Sequence, residues 1–140
     1  MSEELIATIR KVVNEAWNKG NLDALDELYA ANIVMHNTPF PDVQGLEGYK
    51  QFVASTCAAY PDLHFTIDEL FVQGDNVTTR WHFQGTNKAQ SALFPFPPTG
   101  KQITARGCTV IHRMSGKTVE EWNYVDYLGV LQQLGIVPAM

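Results

Sequence analysis

Cysteine is scarce: Cys57 and Cys108 are the two thiols of a 140-residue chain. They sit on separate apolar segments, so they read as reduced core residues rather than a disulfide framework, and the cytoplasm is the expected compartment. Positive charge is also short. Ten Lys and Arg stand against fifteen Asp and Glu, a net charge of −5. That leaves no basic footprint for nucleic acid or for an anionic membrane. No apolar run approaches the roughly 20 residues of a transmembrane helix. The first ten residues, MSEELIATIR, are acidic and amphipathic, unlike the basic and then apolar start of a signal peptide. The four histidines show no His-x-x-x-His spacing, and there is no Cys-x-x-Cys, so no metal is expected. Gly45-x-x-Gly48 is too short for a dinucleotide fingerprint, and no other glycine loop could cradle a phosphate, so no cofactor is expected either.

What remains is ordinary globular material, 45% hydrophobic and 18% charged, sized for a single domain over residues 1–140. Leu5, Ile6, Ile9, Val12, Val13, Ala16 and Trp17 recur at helical spacing and predict a first helix ending at Lys19-Gly20. Asn21 is placed to cap a shorter second helix through Tyr29. Ala31 to His36 is strand-like, and Pro39 and Pro41 then break regular structure. Gly45 to Tyr60 reads as a third helix, stopped by Pro61. Alternating segments follow from Leu63 to Val72, Val77 to Phe83, Ile103 to Met114 and beyond Lys117. Between them, Asn87 to Pro98 reads as an apolar loop suited to lid a pocket or to lie in a dimer interface. Leu128 to Leu134 closes the chain as a short helix. Helices that precede an antiparallel meander predict an α+β domain. A sheet curved over those helices leaves a pocket between the layers.

The chemistry concentrates in Gly107 to Leu128. Cys108, Val110 and His112 share one side of a strand; Trp122, Tyr124 and Asp126 share one side of the next. A two-residue Ser115-Gly116 loop pairs odd with even and separates His112 from Asp126. A three-residue loop with Gly116 as a left-handed bulge pairs even with even and unites them. The second is preferred, because Ser-Gly suits a type I turn plus a glycine bulge. A carboxylate, an imidazole and a phenol would then share a wall with Trp122. A buried carboxylate has its pKa raised by desolvation and can take and return a proton near neutrality.

Several local signals run in order from about residue 5 to residue 135. They are His36-Asn37, Gly45…Gly48, Tyr60-Pro61-Asp62-Leu63-His64, Gly74-Asp75-Asn76-Val77 and Gly85-Thr86. Pro98-Thr99-Gly100-Lys101, Gly116-Lys117, Glu121-Trp122, Asp126 and Gln133-Leu134-Gly135 complete the set. Together they resemble the SnoaL-like polyketide cyclase family of the NTF2-like superfamily. The resemblance implies a cone of N-terminal helices packed against a curved, mainly antiparallel sheet enclosing a pocket. It also implies a cofactor-free intramolecular aldol cyclisation of an apolar ester, aromatic or not. Under that reading Asp126 is base and then acid, and His112 and Tyr124 stabilise the oxyanion. Trp122, Trp17, Phe52, Phe94 and Phe96 hold the substrate, and His36 and Asn37 contact it at the pocket mouth. Three features depart from the family pattern: Asn87 where a histidine is common, the apolar loop from Lys88 to Pro97, and Tyr124 where a histidine stands in known cyclases. Isomerase, dehydratase or epoxide hydrolase chemistry on the same fold remains open, as does a non-catalytic module that binds an apolar small molecule. An apolar outer sheet face points to a homodimer.

Overall fold

The structure, a computed structural model, describes residues 2–91 and 95–140. Helix α1 (Ser2–Val13) runs into a π-helical turn, Asn14–Asn18, and then a 3₁₀ turn, Leu22–Glu27. The strands and helices that follow are β1 (Tyr29–Asn37), β2 (Phe40–Gln44), α2 (Gly45–Ala59), β3 (His64–Gln73), β4 (Asn76–Thr86), β5 (Gln102–Met114), β6 (Lys117–Val125) and α3 (Tyr127–Gln133). The six strands form one sheet in the order β2-β1-β6-β5-β4-β3. Every pairing is antiparallel except β1 with β6.

The sequence reading of helices, meander and closing helix agrees with this architecture, and two differences have local causes. Pro41 lies inside a strand, because β2 is at the sheet edge, where one side of the strand needs no donor. Asn21 makes no side-chain cap, and its segment tightens into a 3₁₀ turn through Ala24 N–H to Asn21 C=O at 3.2 Å.

The π-helical turn has two structural consequences. It directs Trp17 onto Phe65, with ring centroids 5.2 Å apart and the planes stacked. It also aims Asn18 at the other sheet edge, β3. Phe65 N–H donates to Asn18 Oδ1 at 2.6 Å, and Asn18 Nδ2 donates to Phe65 C=O at 2.9 Å. One side-chain amide thus satisfies a backbone donor and acceptor that an edge strand leaves open.

The sheet's inner face is set by the apolar halves of its alternating strands. Val77, Trp81 and Phe83 of β4 and Ile103, Ala105 and Ile111 of β5 are buried against Ile9, Val12, Val53 and Val130 from the helices. Asp126 closes the molecule by capping α3, its Oδ1 accepting from Gly129 N–H at 2.9 Å. A Cβ on Gly129 would collide with the Asp126 carboxylate. Gly129→Ala is therefore expected to leave stability near wild type, because displacing the carboxylate forfeits a cap worth about 1 kcal/mol while alanine favours a helix interior by about 1 kcal/mol over glycine. An unchanged urea midpoint would show it; a much lower one would mean the carboxylate cannot swing away.

Candidate functional site

The hairpin that carries the expected acid–base wall has its own register. Met114 pairs with Lys117, so the loop is the two-residue Ser115-Gly116. Both residues have positive φ, 54° and 82°, as a type I′ turn requires. The expected glycine bulge is not formed. A bulge on β6 compensates: Arg113 pairs with Thr118, and His112 already with Glu120, which leaves Val119 as the extra residue. Beyond it even faces even, with Val110 opposite Trp122 and Cys108 opposite Tyr124.

The shared face therefore exists, and it is the outer one. Tyr124 is 57% exposed, and His112, Cys108 and Asp126 are exposed as well. Trp122 packs between His112, at 4.7 Å edge to face, and His36, at 5.2 Å stacked. His36 bonds outward, Nδ1 to Asp42 at 2.9 Å and Nε2 to Glu120 at 2.6 Å, and these carboxylates hold its pKa above the usual imidazole range. None of His36, His112, Trp122, Tyr124 or Asp126 lines the cavity. Parity explains this. The even residues of β5 include Arg106 and His112, whereas the odd residues from Ile103 to Ile111 are Ile103, Ala105, Gly107, Thr109 and Ile111. The apolar set turns to the core, and β6 follows its partner. Asp126 lies past the end of β6, where its carboxylate caps α3. Phe96 is 37% exposed and is not a lining residue, and Phe94 lies outside the described residues. Of the expected contacts, Trp17, Phe52 and Asn37 do line the cavity.

That cavity, about 100 Å³, lies between the helices and the inner face of the sheet. Its walls are mainly apolar, with Trp17, Phe52, Phe65, Trp81 and Phe83 among them. Three polar side chains, Tyr29, Tyr49 and Asn123, surround Glu121. This carboxyl is 2% exposed and faces the cavity from β6. Tyr29 Oη lies 3.0 Å from Oε1, and Tyr49 Oη lies 2.9 Å from Oε2. Asn123 Nδ2 donates to Oε2 at 3.0 Å. The two phenol oxygens are themselves 3.1 Å apart. Burial pushes the Glu121 pKa up, and the donors Asn123, Tyr49 and Tyr29 oppose that rise without cancelling it. Both tyrosines are held well above their ordinary range, first by burial and then by the neighbouring carboxyl.

Proton counting agrees with the direction for Glu121. A phenol has one hydrogen. With Glu121 ionised, both phenol hydrogens go to the carboxylate, and the Tyr29–Tyr49 contact has none. With Glu121 neutral, three hydrogens serve three contacts in a closed ring. Elsewhere in the cavity, Tyr127 Oη donates to Asn37 Oδ1 at 2.9 Å. Among the described residues, no group of three or more His, Cys, Asp or Glu is arranged to hold a metal ion. No helix among them is long and apolar enough to cross a membrane.

Sequence reasoning missed Glu121, Tyr29, Tyr49 and Asn123. A signal existed for two of them: Glu121 and Asn123 are polar residues at core-facing positions of β6. Tyr29 and Tyr49 come from β1 and α2, and only the packing brings them to Glu121.

An α+β cone with a buried carboxyl on the wall of an apolar pocket between helices and sheet is a usual setting for a small-molecule site. The profile of the SnoaL-like polyketide cyclase family matches residues 7–134, and the chain belongs to that family. A candidate polyketide cyclase from Acidithiobacillus ferrooxidans is 34% identical, with 93% of each chain covered and a TM-score of 0.78. IdmH, a candidate polyketide cyclase from Streptomyces antibioticus, is 30% identical over 92% of this chain and 96% of its own, with a TM-score of 0.75. A protein from Catenulispora acidiphila with a ketosteroid isomerase-like fold is 23% identical over 91% and 92%, TM-score 0.72, which shows the common fold. A search of curated proteins finds no match.

The placement of Asp126 carries a prediction of its own. Asp126→Ala is expected to cost about 1 kcal/mol, the usual worth of an N-cap, because Gly129 N–H loses its acceptor. Asp126→Asn keeps an acceptor and is expected to stay near wild type in both stability and turnover. Loss of turnover in a well-folded Asp126→Asn protein would return the acid–base role to Asp126.

Proposed function

We propose that the protein is a cofactor-independent polyketide cyclase in which Glu121 is the general base and then the general acid. The observation that carries this reading is a carboxyl with a raised pKa, buried among three hydrogen-bond donors on the wall of an apolar cavity. A group so placed takes and returns a proton near neutral pH. Oε2 receives two donors, Tyr49 and Asn123, whereas Oε1 receives Tyr29. Oε1 is thus the oxygen with a lone pair for the substrate.

The proposed reaction begins when Oε1 removes a proton from a carbon between two carbonyl groups. The C–H electron pair becomes an enolate, and Glu121 becomes neutral. Asn37, with Oδ1 engaged by Tyr127, donates from its amide nitrogen to the enolate oxygen. The enolate carbon attacks a second carbonyl of the same molecule, and the new alkoxide takes the proton back from Oε1. No oxidant or reductant enters, so no redox cofactor is needed. Trp17, Phe52 and Phe65 shape the apolar space that folds the chain for attack.

The direct test uses a β-keto ester in deuterated buffer. Wild-type protein is expected to speed deuterium uptake at the acidic carbon, and Glu121→Gln is not. Equal rates for the two proteins would leave a binding module as the better reading.

Two further features belong to this proposal. Cys57 and Cys108 are free thiols, which supports a reducing compartment such as the cytoplasm. Phe71, Val110 and Trp122 form one row across the outer face through the register of Thr78, and Phe71 is 60% exposed. A second copy packed on that row makes the protein a homodimer. Sedimentation should give the dimer mass, and Phe71→Glu the monomer; a monomeric wild type would rule out this arrangement.

A further inference from the structure

Behind the carboxyl, a line of hydrogen bonds runs from β4 through β5 to β6. Trp81 Nε1 donates to Thr109 Oγ1 at 2.8 Å. Thr109 Oγ1 lies 2.6 Å from Asn123 Oδ1, a distance proper to O–H···O. Asn123 Nδ2 then reaches Glu121 Oε2 at 3.0 Å. Trp81 and Thr109 are buried, with 7% exposure each.

The direction of this line is fixed by donor chemistry. An indole N–H can only donate. Thr109 must accept from it, and the one hydroxyl hydrogen left goes to Asn123 Oδ1. That contact turns the asparagine amide so that its nitrogen, not its oxygen, faces Glu121. Burial removes the solvent that would otherwise let either group turn.

The neutral Glu121 ring has two proton orders. In one, Oε1–H donates to Tyr29, Tyr29 to Tyr49 and Tyr49 to Oε2. In the other, every arrow is reversed and the acid proton sits on Oε2. The geometry of the three oxygens alone does not choose between them. An additional N–H donor on Oε2 does, because a carboxyl's carbonyl oxygen is a better acceptor than its hydroxyl oxygen. We propose that Trp81 and Thr109 are positioning residues, which orient Asn123 so that the proton of neutral Glu121 is held on Oε1, against Tyr29. The catalytic consequence rests on the reading of Glu121 as acid–base group: the oxygen that takes the substrate proton is the oxygen that keeps it for return.

Thr109→Val removes the hydroxyl at nearly constant volume and frees the Asn123 amide to turn. The carboxylate then loses a committed donor. Titration of the Glu121 side-chain carboxyl by carbon-13 NMR should show its midpoint rising by about one pH unit, a tenfold gain in proton affinity. Trp81→Phe removes only the first donor, and its midpoint should rise in the same direction. Thr109→Ser keeps the hydroxyl and should titrate like wild type. A midpoint that stays put in both Thr109→Val and Trp81→Phe would overturn the relay, whichever of the two folds better. This readout needs no turnover. If the midpoint moves as expected while Glu121→Gln still exchanges deuterium, the relay stands and the catalytic reading falls.

Discussion

Glu121→Gln is expected to lower turnover by about 10²–10⁴-fold, the usual contribution of a positioned acid–base group. The fold and the affinity for an unreactive ligand should persist. The reason is the pattern of hydrogen bonds around the side chain. A glutamine nitrogen at the Oε1 position donates to Tyr29, Tyr29 donates to Tyr49, and Tyr49 and Asn123 donate to the remaining oxygen. The amide thus reproduces the neutral acid in shape and in donor order, and it neither takes nor releases a proton near neutral pH. Glu121→Ala is a poorer test, since Tyr29 and Tyr49 keep only each other and one phenol hydrogen and the Asn123 amide lose their acceptor in a buried site, at roughly 1–3 kcal/mol for each unsatisfied group. Kinetics beside urea denaturation of the glutamine protein separates a chemical role from a structural one. Unchanged turnover would end the assignment.

The same carboxyl makes stability depend on pH. Its ordinary value is 4.5, and burial raises it in the folded chain. As pH climbs above 4.5, the unfolded chain gives up this proton and the folded chain keeps it. The unfolded state then binds fewer protons, so stability falls with rising pH, by up to about 1.4 kcal/mol per pH unit. The fall stops once pH passes the raised folded value. His36 contributes in the same sense over its own range, because its raised pKa gives stability at low pH that is lost as pH rises through that value. Subtracting Glu121→Gln removes the histidine term, which both proteins share. The difference curve, from urea unfolding between about pH 4 and pH 8, should slope downward for wild type relative to the variant. A flat difference would mean that Glu121 titrates in the folded protein as it does in the unfolded chain.

Much of the architecture was legible residue by residue. The helical stripe from Leu5 to Trp17, the alternation of Val77, Thr79, Trp81 and Phe83, and the stops at Gly20 and Pro61 set the element order. The edge strand β2 was not legible, because Pro41 argues against a strand unless its position at the sheet margin is known. The site was legible only in part. Trp17, Phe52 and Asn37 line the cavity, while His36, His112, Trp122, Tyr124 and Asp126 lie elsewhere. The even residues of the last hairpin do share a face, but the rule that placed them needed one more step. On β5 that same set carries Arg106 and His112, while the alternate set from Ile103 to Ile111 is uncharged and mostly apolar and takes the core face. Glu121 and Asn123 occupy the core-facing set, where an ionisable side chain is costly and therefore informative.

The sequence alone determined the class of fold, since hydrophobic period and turn chemistry act over a few residues. It also determined that the last two strands pair closely. Tertiary structure decided which way that pairing faces, through one extra residue at Val119 and the packing of β5 on β4. It also decided what surrounds Glu121. Glu121 meets Tyr29 across 92 positions and Tyr49 across 72. A carboxyl's proton affinity depends on what surrounds it in space, and those surroundings exist only after the helices close over the sheet.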